Sequence, residues 1–318
     1  MNFELYKLIP HDTKINFVSM RRFTYAFSII MTILSLLAFA FHGLNFGVDF
    51  KGGFLMEIRT QEAANIGELR DTLTKLDIGE VALQEFGSNK DVLIRIPSSS
   101  EKTQAQQNAD LEKVKAALGD NVEYRKIEKI GPKVGKELVD NAIIAVIIAL
   151  GAILIYIWMR FEWQFALCGV IALAHDCTIL LGLYSVVHYF EFSVNAIVAL
   201  LMTASYSIHD SVVVFDRIRE DMKAYKNLTV AQLLNKAINE TLSRTTLTSL
   251  TTILSLLALC FFGGKVIFDF CFPILFGLGF GTFSSIFLAA PLLLLTGIRV
   301  DGRDIEIGLD EPKAEPAK

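Results

Sequence analysis

Hydrophobic positions along this chain fall into two kinds of pattern. Six long apolar runs, Phe23–Phe41, Ala142–Met159, Phe165–Val187, Val194–Phe215, Thr241–Phe262 and Phe270–Ile298, each match the length a helix needs to cross a bilayer core at about 1.5 Å per residue. Between the first and second runs the apolar positions recur at short spacings instead. Phe54–Thr60, Val81–Phe86, Val92–Ile96 and Val122–Ile130 predict strands, while Ile66–Leu76, apolar at 66, 69, 73 and 76, and Ala105–Leu118 predict helices. The resulting β-α-β-β-α-β order is the signature of a ferredoxin-like sandwich. The predicted fold is a polytopic α-helical membrane protein with six transmembrane helices, plus one small α+β ferredoxin-like domain after the first helix.

Boundaries follow from where the polar residues gather. The expected division is an N-terminal segment 1–22, a first span 23–41, the ferredoxin-like domain 42–140, spans two to six within 141–298 with an amphipathic loop at 217–239, and a tail 299–318. Ala38-Phe39-Ala40 has the look of a signal-peptide cleavage site. The run it closes nevertheless exceeds the roughly 7–15 residues of a signal core, so a retained helix is expected. Lys7, Lys14, Arg21, Arg22, Arg160, Arg217, Arg219, Lys223, Lys226, Lys236, Arg299 and Arg303 all lie on one side of a six-span arrangement, and the short loops opposite hold only Lys265. The positive-inside rule places that side, with both termini, in the cytoplasm and the ferredoxin-like domain on the outer side.

Composition agrees with this mixed picture. A hydrophobic content of 53% is too apolar for a soluble protein, and 20% charged residues is too many for a bare helical bundle. A net charge of −4 without any long basic block excludes a large nucleic-acid surface. Cys168, Cys177, Cys260 and Cys271 all fall in apolar runs without CxxC spacing, which supports neither a disulfide framework nor a metal centre. No cofactor motif is present, and the outer domain holds no catalytic constellation, so a binding or docking module is expected there rather than an enzyme.

The candidate chemistry lies inside the membrane. Asp210 continues into Val212-Val213-Val214-Phe215 before the polar residues begin, and Arg244 sits in the next apolar run; both are roughly 10–12 Å deep from the same face. An ionisable group at that depth costs a few kcal/mol or more and is by default functional. Burial favours the neutral acid and a nearby guanidinium favours the ionised one, the balance a protonation switch needs. Arginine itself keeps its charge, so Asp210 is the candidate proton carrier and Arg244 its alternating partner. Thr241, Thr248, Thr251 and Thr252 share a helical face with Arg244, as Thr203, Tyr206 and Ser207 do with Asp210. Those hydroxyls either line a hydrated path or bond to their own helix carbonyls. His175 and Asp176, near the middle of the third run, are either a satisfied interior contact or a proton-relay step, and His209 beside Asp210 is ambiguous in the same way. Gly277-x-x-x-Gly281 has the spacing of a close helix contact and reads as packing.

Several segments, taken together, resemble the SecD–SecF family of protein-export membrane proteins, within the resistance-nodulation-division superfamily. They are Phe46-Gly47-Val48-Asp49-Phe50-Lys51-Gly52-Gly53, His175-Asp176, Tyr206-Ser207-Ile208-x-Asp210-Ser211 with Asp216-Arg217-Ile218-Arg219-Glu220, Thr241-Leu242-Ser243-Arg244-Thr245 and Gly281-Thr282-Phe283-Ser284-Ser285-Ile286-Phe287. The resemblance implies a multi-pass protein of the bacterial inner membrane that pairs with a SecD-like subunit, assists the Sec translocon channel, meets preprotein substrate in the periplasm and draws on the proton motive force. It also implies Asp210 as the proton-coupled acid and Arg244 as its basic partner. Two positions depart from the family pattern: His209 stands where Asn is usual, and Ala204-Ser205 where a Gly commonly precedes Tyr-Ser. Two other classes of function compete, a small-molecule proton antiporter of the same superfamily and a structural scaffold subunit. The antiporter needs a roomy outer domain with an aromatic-lined pocket, and the scaffold predicts that neutralising Asp210 changes only abundance.

Overall fold

The computed structural model describes residues 13–76, 78–79, 81–86, 88–97, 104–119, 122–300 and 303–304. Lys7 and most of the expected tail, 305–318, lie outside the described residues. Six helices are long and apolar enough to cross a membrane. The first, α1 (Arg21–His42), ends on Gly43 at φ 65° and leads into a four-residue helix, α2 (Val48–Lys51), which the sequence pattern did not predict. Gly52 and Gly53 follow at φ 75° and 135°, a left-handed turn that side chains resist. It feeds β1 (Gly53–Thr60). A Cβ at Gly135 would stand 2.9 Å from the Phe50 carbonyl oxygen, so the turn is pressed directly against the second spanning helix.

The outer domain continues through α3 (Ile66–Thr74), β2 (Ala82–Phe86), β3 (Ser88–Pro97), α4 (Gln104–Leu118) and β4 (Val122–Ile130). Its sheet runs β2-β3-β1-β4 with every neighbouring pair antiparallel, which is the ferredoxin-like topology expected. Alternation explains the register: Phe54, Met56 and Ile58 of β1 face the same side as Val92, Ile94 and Ile96 of β3. That side packs under Leu73 of α3 and Val114 and Leu118 of α4. Asn65 caps α3 by accepting the Glu68 amide hydrogen at 3.3 Å.

The remaining spans are α5 (Pro132–Arg160), α6 (Trp163–Val186), α7 (Val194–Ala224), α8 (Val230–Phe262) and α9 (Gly264–Ser284). The last continues through a π-helical turn (Ser285–Ala289), the short α10 (Ala290–Leu292) and a 3₁₀ turn (Leu293–Leu295). Two boundaries differ from expectation. Residues 132–140, assigned to the outer domain, are the first turns of α5, because Pro132 at the first helical position starts a helix that nothing later interrupts. The expected loop 217–239 is mostly helix, with only 225–229 joining α7 to α8. Its apolar positions Ile218, Met222, Val230, Leu233, Leu234, Ala237 and Ile238 are buried together, and Thr229 and Gln232 form a reciprocal capping box. Glycines set the closest approaches of the bundle. A methyl group at Gly277 would overlap Thr203 of α7, one at Gly281 would meet Ser207 at 3.4 Å, and Gly182 of α6 lies against Ser35 of α1.

Candidate functional site

Asp210 is buried on α7, 4% exposed, with the apolar turn Val212–Phe215 between it and the polar end of the helix. Its Oδ2 accepts a hydrogen bond of 3.3 Å from the Ser249 hydroxyl of α8, and the Ser249 oxygen in turn accepts one of 2.9 Å from Thr282 of α9. Three helices therefore meet at the carboxylate through neutral donors alone. No cation neutralises it among the described residues.

The expected Asp210–Arg244 pair is not formed within this chain. Arg244 is exposed on the outer surface of α8, and it makes no ion pair among the described residues. Equal depth was the basis for the pairing, but depth leaves the direction around the helix free. Ser249 follows Arg244 by five residues, about 140° around the axis at 100° per residue, so the turn that aims Ser249 inward aims Arg244 outward. The hydroxyl stripe around Arg244 resolves in favour of local bonding: Thr248 donates to the Arg244 carbonyl at 3.1 Å, Thr252 to that of Thr248 at 3.0 Å, and Thr251 likewise at 2.9 Å. Thr241 bonds to the Ala237 carbonyl. Of the α7 group, His209 is exposed, Tyr206 is half-buried among apolar neighbours, and the Thr203 hydroxyl is buried without a partner among the described residues.

His175 and Asp176 form a second centre. Adjacent residues on a helix point about 100° apart. Even so, the His175 Nδ1 lies 2.8 Å from the Asp176 Oδ1, because both side chains fold toward the bundle interior. Asp176 is fully buried; its Oδ2 accepts hydrogen bonds of 2.6 Å from Ser207 of α7 and from Ser284 of α9. Ser249, Thr282 and Ser284 were not singled out as ligands of the acids from sequence. The signal that marks them is their position: each is a small hydroxyl residue on the inward face of its span, opposite a carboxylate.

Polar contacts also mount the outer domain on the bundle. Arg95 of β3 pairs with Glu191 at 3.3 Å, Gln84 of β2 bonds to Asp269 of α9, and Asp49 accepts the Val194 amide hydrogen at 3.3 Å. The segments before and after the outer loop bridge through Gly47 N–H to the Phe192 carbonyl at 3.0 Å and Phe192 N–H to the Asn45 carbonyl at 2.7 Å. Burial holds the Glu191 carboxyl above its ordinary range, opposed by Arg95. A cavity of about 170 Å³ lies at this junction, lined by Asp49, Arg95, Tyr189, Glu191 and Asp269 among others. Within the domain, Arg59 holds Asp91 with two bonds of 2.7 Å and keeps its carboxyl far below the usual range, with Ser88 assisting.

Two family profiles match the chain: "Protein export membrane protein SecD/SecF, C-terminal" over residues 110–299 and "SecD/SecF GG Motif" over residues 37–64. The second covers the left-handed Gly52-Gly53 turn. Among characterised proteins, the chain is 41% identical over 293 residues to the protein translocase subunit SecF of Rickettsia felis, covering 91% of this chain and 94% of that one. The SecF of Rickettsia prowazekii is 41% identical over the same length, with 93% of it covered. Among solved structures, SecDF from Thermus thermophilus, a translocon-associated membrane protein, aligns over 90% of this chain with a TM-score of 0.78 and 36% identity. SecDF in a super-membrane-facing form aligns over 89% with a TM-score of 0.66 and 35% identity. The chain spans 39% and 38% of those two proteins.

Proposed function

From the premise that this chain belongs to the SecD/SecF family of protein-export membrane proteins, we propose that it is the accessory subunit of a Sec preprotein translocase in which Asp210 takes up and releases a proton to drive export. The observation that carries this is the carboxylate itself: buried inside six spans, held by one neutral hydroxyl, and without an ion-pair partner among the described residues. An ionised acid so placed costs at least a few kcal/mol, so its protonation state is coupled to any arrangement that brings a cation or water to it. Each proton crossing at 100 mV releases about 2.3 kcal/mol, enough to bias two arrangements and far too little for one-step transport, so export requires repeated cycles.

Arg244 then acts across an interface. A guanidinium on the outward face of a spanning helix is costly against lipid and favourable against an acid of a second membrane subunit. The solved SecDF chains run far beyond the length matched here, which supports a SecD-like partner against that face of α8. In this reading the protein sits in the bacterial inner membrane with its termini and the α7–α8 connection in the cytoplasm. The ferredoxin-like domain stands in the periplasm, where it meets preprotein leaving the Sec channel. The mounting of that domain on the outer ends of α6, α7 and α9, the helices that carry both acid centres, gives protonation a mechanical route outward.

The test depletes cells of the protein and rescues them with wild type or Asp210→Asn, measuring precursor accumulation and the membrane level of each form. Asp210→Asn at wild-type level with accumulating precursors is the expected result. Full rescue by Asp210→Asn sinks the proposal and leaves a scaffold.

A further inference from the structure

We propose that His175 and Asp176 form a second proton-holding site in the membrane bundle, with Asp176 as the carboxylate that ties α7 to α9 and His175 Nε2 as the atom at which the proton arrives and leaves. Asp176 has no measurable exposure, and no lysine or arginine reaches it among the described residues. The groups facing it are the His175 ring, the Ser207 and Ser284 hydroxyls, and the Cys177 thiol next along α6. A lone carboxylate at such a place is strongly disfavoured, and its one counter-charge among the described residues is the imidazole.

Proton accounting follows from those contacts. In the empty state Asp176 is ionised, His175 carries its single proton on Nδ1 facing Oδ1, and Nε2 offers a lone pair; the pair bears one negative charge. Loading forms one N–H bond at Nε2, and the pair becomes neutral as imidazolium and carboxylate. The Nδ1 proton can then move to Oδ1 without changing that total. Nε2 is buried and without a partner among the described residues. That is an expensive condition for a group with no role, and the condition of an atom that exchanges a proton intermittently.

The site is also placed to act on the first one. Ser207 stands three residues before Asp210 on α7, and Ser284 two residues after Thr282 on α9. Asp176 thus grips α7, which carries Asp210, and α9, whose Thr282 reaches Asp210 through Ser249 of α8. Immediately beyond Ser284 the helix widens into the π-helical turn Ser285–Ala289, a geometry frequent where helices do work at functional sites. The consequence for export rests on the proton-coupled reading of Asp210; the protonation of the dyad does not.

Asp176→Asn separates a proton role from a structural one, because its amide oxygen still accepts from Ser207 and Ser284 but cannot take part in loading. In depleted cells, Asp176→Asn at wild-type membrane level is expected to accumulate precursors several-fold, with Asp176→Glu restoring most export. Export at the wild-type rate by Asp176→Asn, where Asp210→Asn blocks export, overturns the proposal. Should Asp176→Asn fail to accumulate, a carbodiimide that modifies protonated carboxyls in apolar surroundings decides the matter on the wild-type chain in native membranes. Peptide mapping is expected to find label at Asp176 that declines as pH rises and persists in Asp210→Asn. Absence of label at Asp176 overturns the second site whatever Asp210 does. Label at Asp176 together with full export by Asp210→Asn instead retains the second site and removes the reading of Asp210.

Discussion

Replacing Gly277 by Ala is the sharpest probe of how the acid-bearing helices are held together. The new methyl group has nowhere to go: its ideal position overlaps Thr203 Oγ1, with Thr203 Cγ2 at 2.9 Å, and Thr203 is 1% exposed and fixed on α7. Overpacking of this kind costs about 1–3 kcal/mol, and here it separates α7 from α9 along the seam that continues to Ser207, Ser284 and Asp176. The partner substitution is informative because Thr203 Oγ1 is buried and unpaired among the described residues. Thr203→Ala removes that atom and vacates the space, and on its own is expected to be neutral to within about 1 kcal/mol. In the double variant the overlaps with Oγ1 and Cγ2 are removed and only the residue-203 Cβ stays close, at 3.0 Å, so at least half of the Gly277→Ala loss returns, an interaction energy of roughly 0.5–3 kcal/mol. The assay is reversible unfolding of the purified full chain in mixed micelles for the four members of the cycle, with precursor accumulation measured in parallel. Stability of Gly277→Ala equal to wild type, or a double variant no better than the single, refutes this account of the α7–α9 contact.

Two further predictions concern the outer domain. Arg95→Ala leaves Glu191 buried without its cation at a cost of about 1–3 kcal/mol, while Arg95→Ala with Glu191→Gln recovers docking, as read by hydrogen exchange of 82–97 in the full chain. Because burial raises the Glu191 carboxyl despite Arg95, its protonated form favours the docked domain. That contribution is complete below the ordinary carboxylate range and fades as pH rises through the raised value; exchange that instead speeds as pH falls from the raised value to the ordinary carboxylate range contradicts it. Asp91 behaves oppositely. Its carboxyl is lowered by Arg59, so its contribution to domain stability is present above the ordinary carboxylate range and is lost as pH falls through the lower native value. Asp91→Asn should flatten the acid limb of the unfolding curve, and an unchanged limb contradicts the assignment.

What the sequence by itself determined was everything that depends on periodicity along one element. Six apolar runs became six spanning helices. The alternation of Phe54, Met56 and Ile58 with Val92, Ile94 and Ile96 became the inner face of a sheet, and the β-α-β-β-α-β order limited that sheet to the topology found. Burial of Asp210 was legible too, since no exposed position explains an acid inside an apolar run. The helical ends on either side of 225–229 were available in the spacing of Ile218 and Met222 and of Leu233 and Ala237, and were obscured by charges that sit cheaply on a helix surface. Only the tertiary structure decided which groups meet. Matching depths of Asp210 and Arg244 did not bring them together, because rotation about each helix axis is set by packing: Gly277 and Gly281 seat α7 against α9 by admitting Thr203 and Ser207, and α8 turns Ser249 inward and Arg244 outward. The same packing delivers Ser249 to Asp210, and Ser207 and Ser284 to Asp176, across sequence separations that no pattern along the chain encodes.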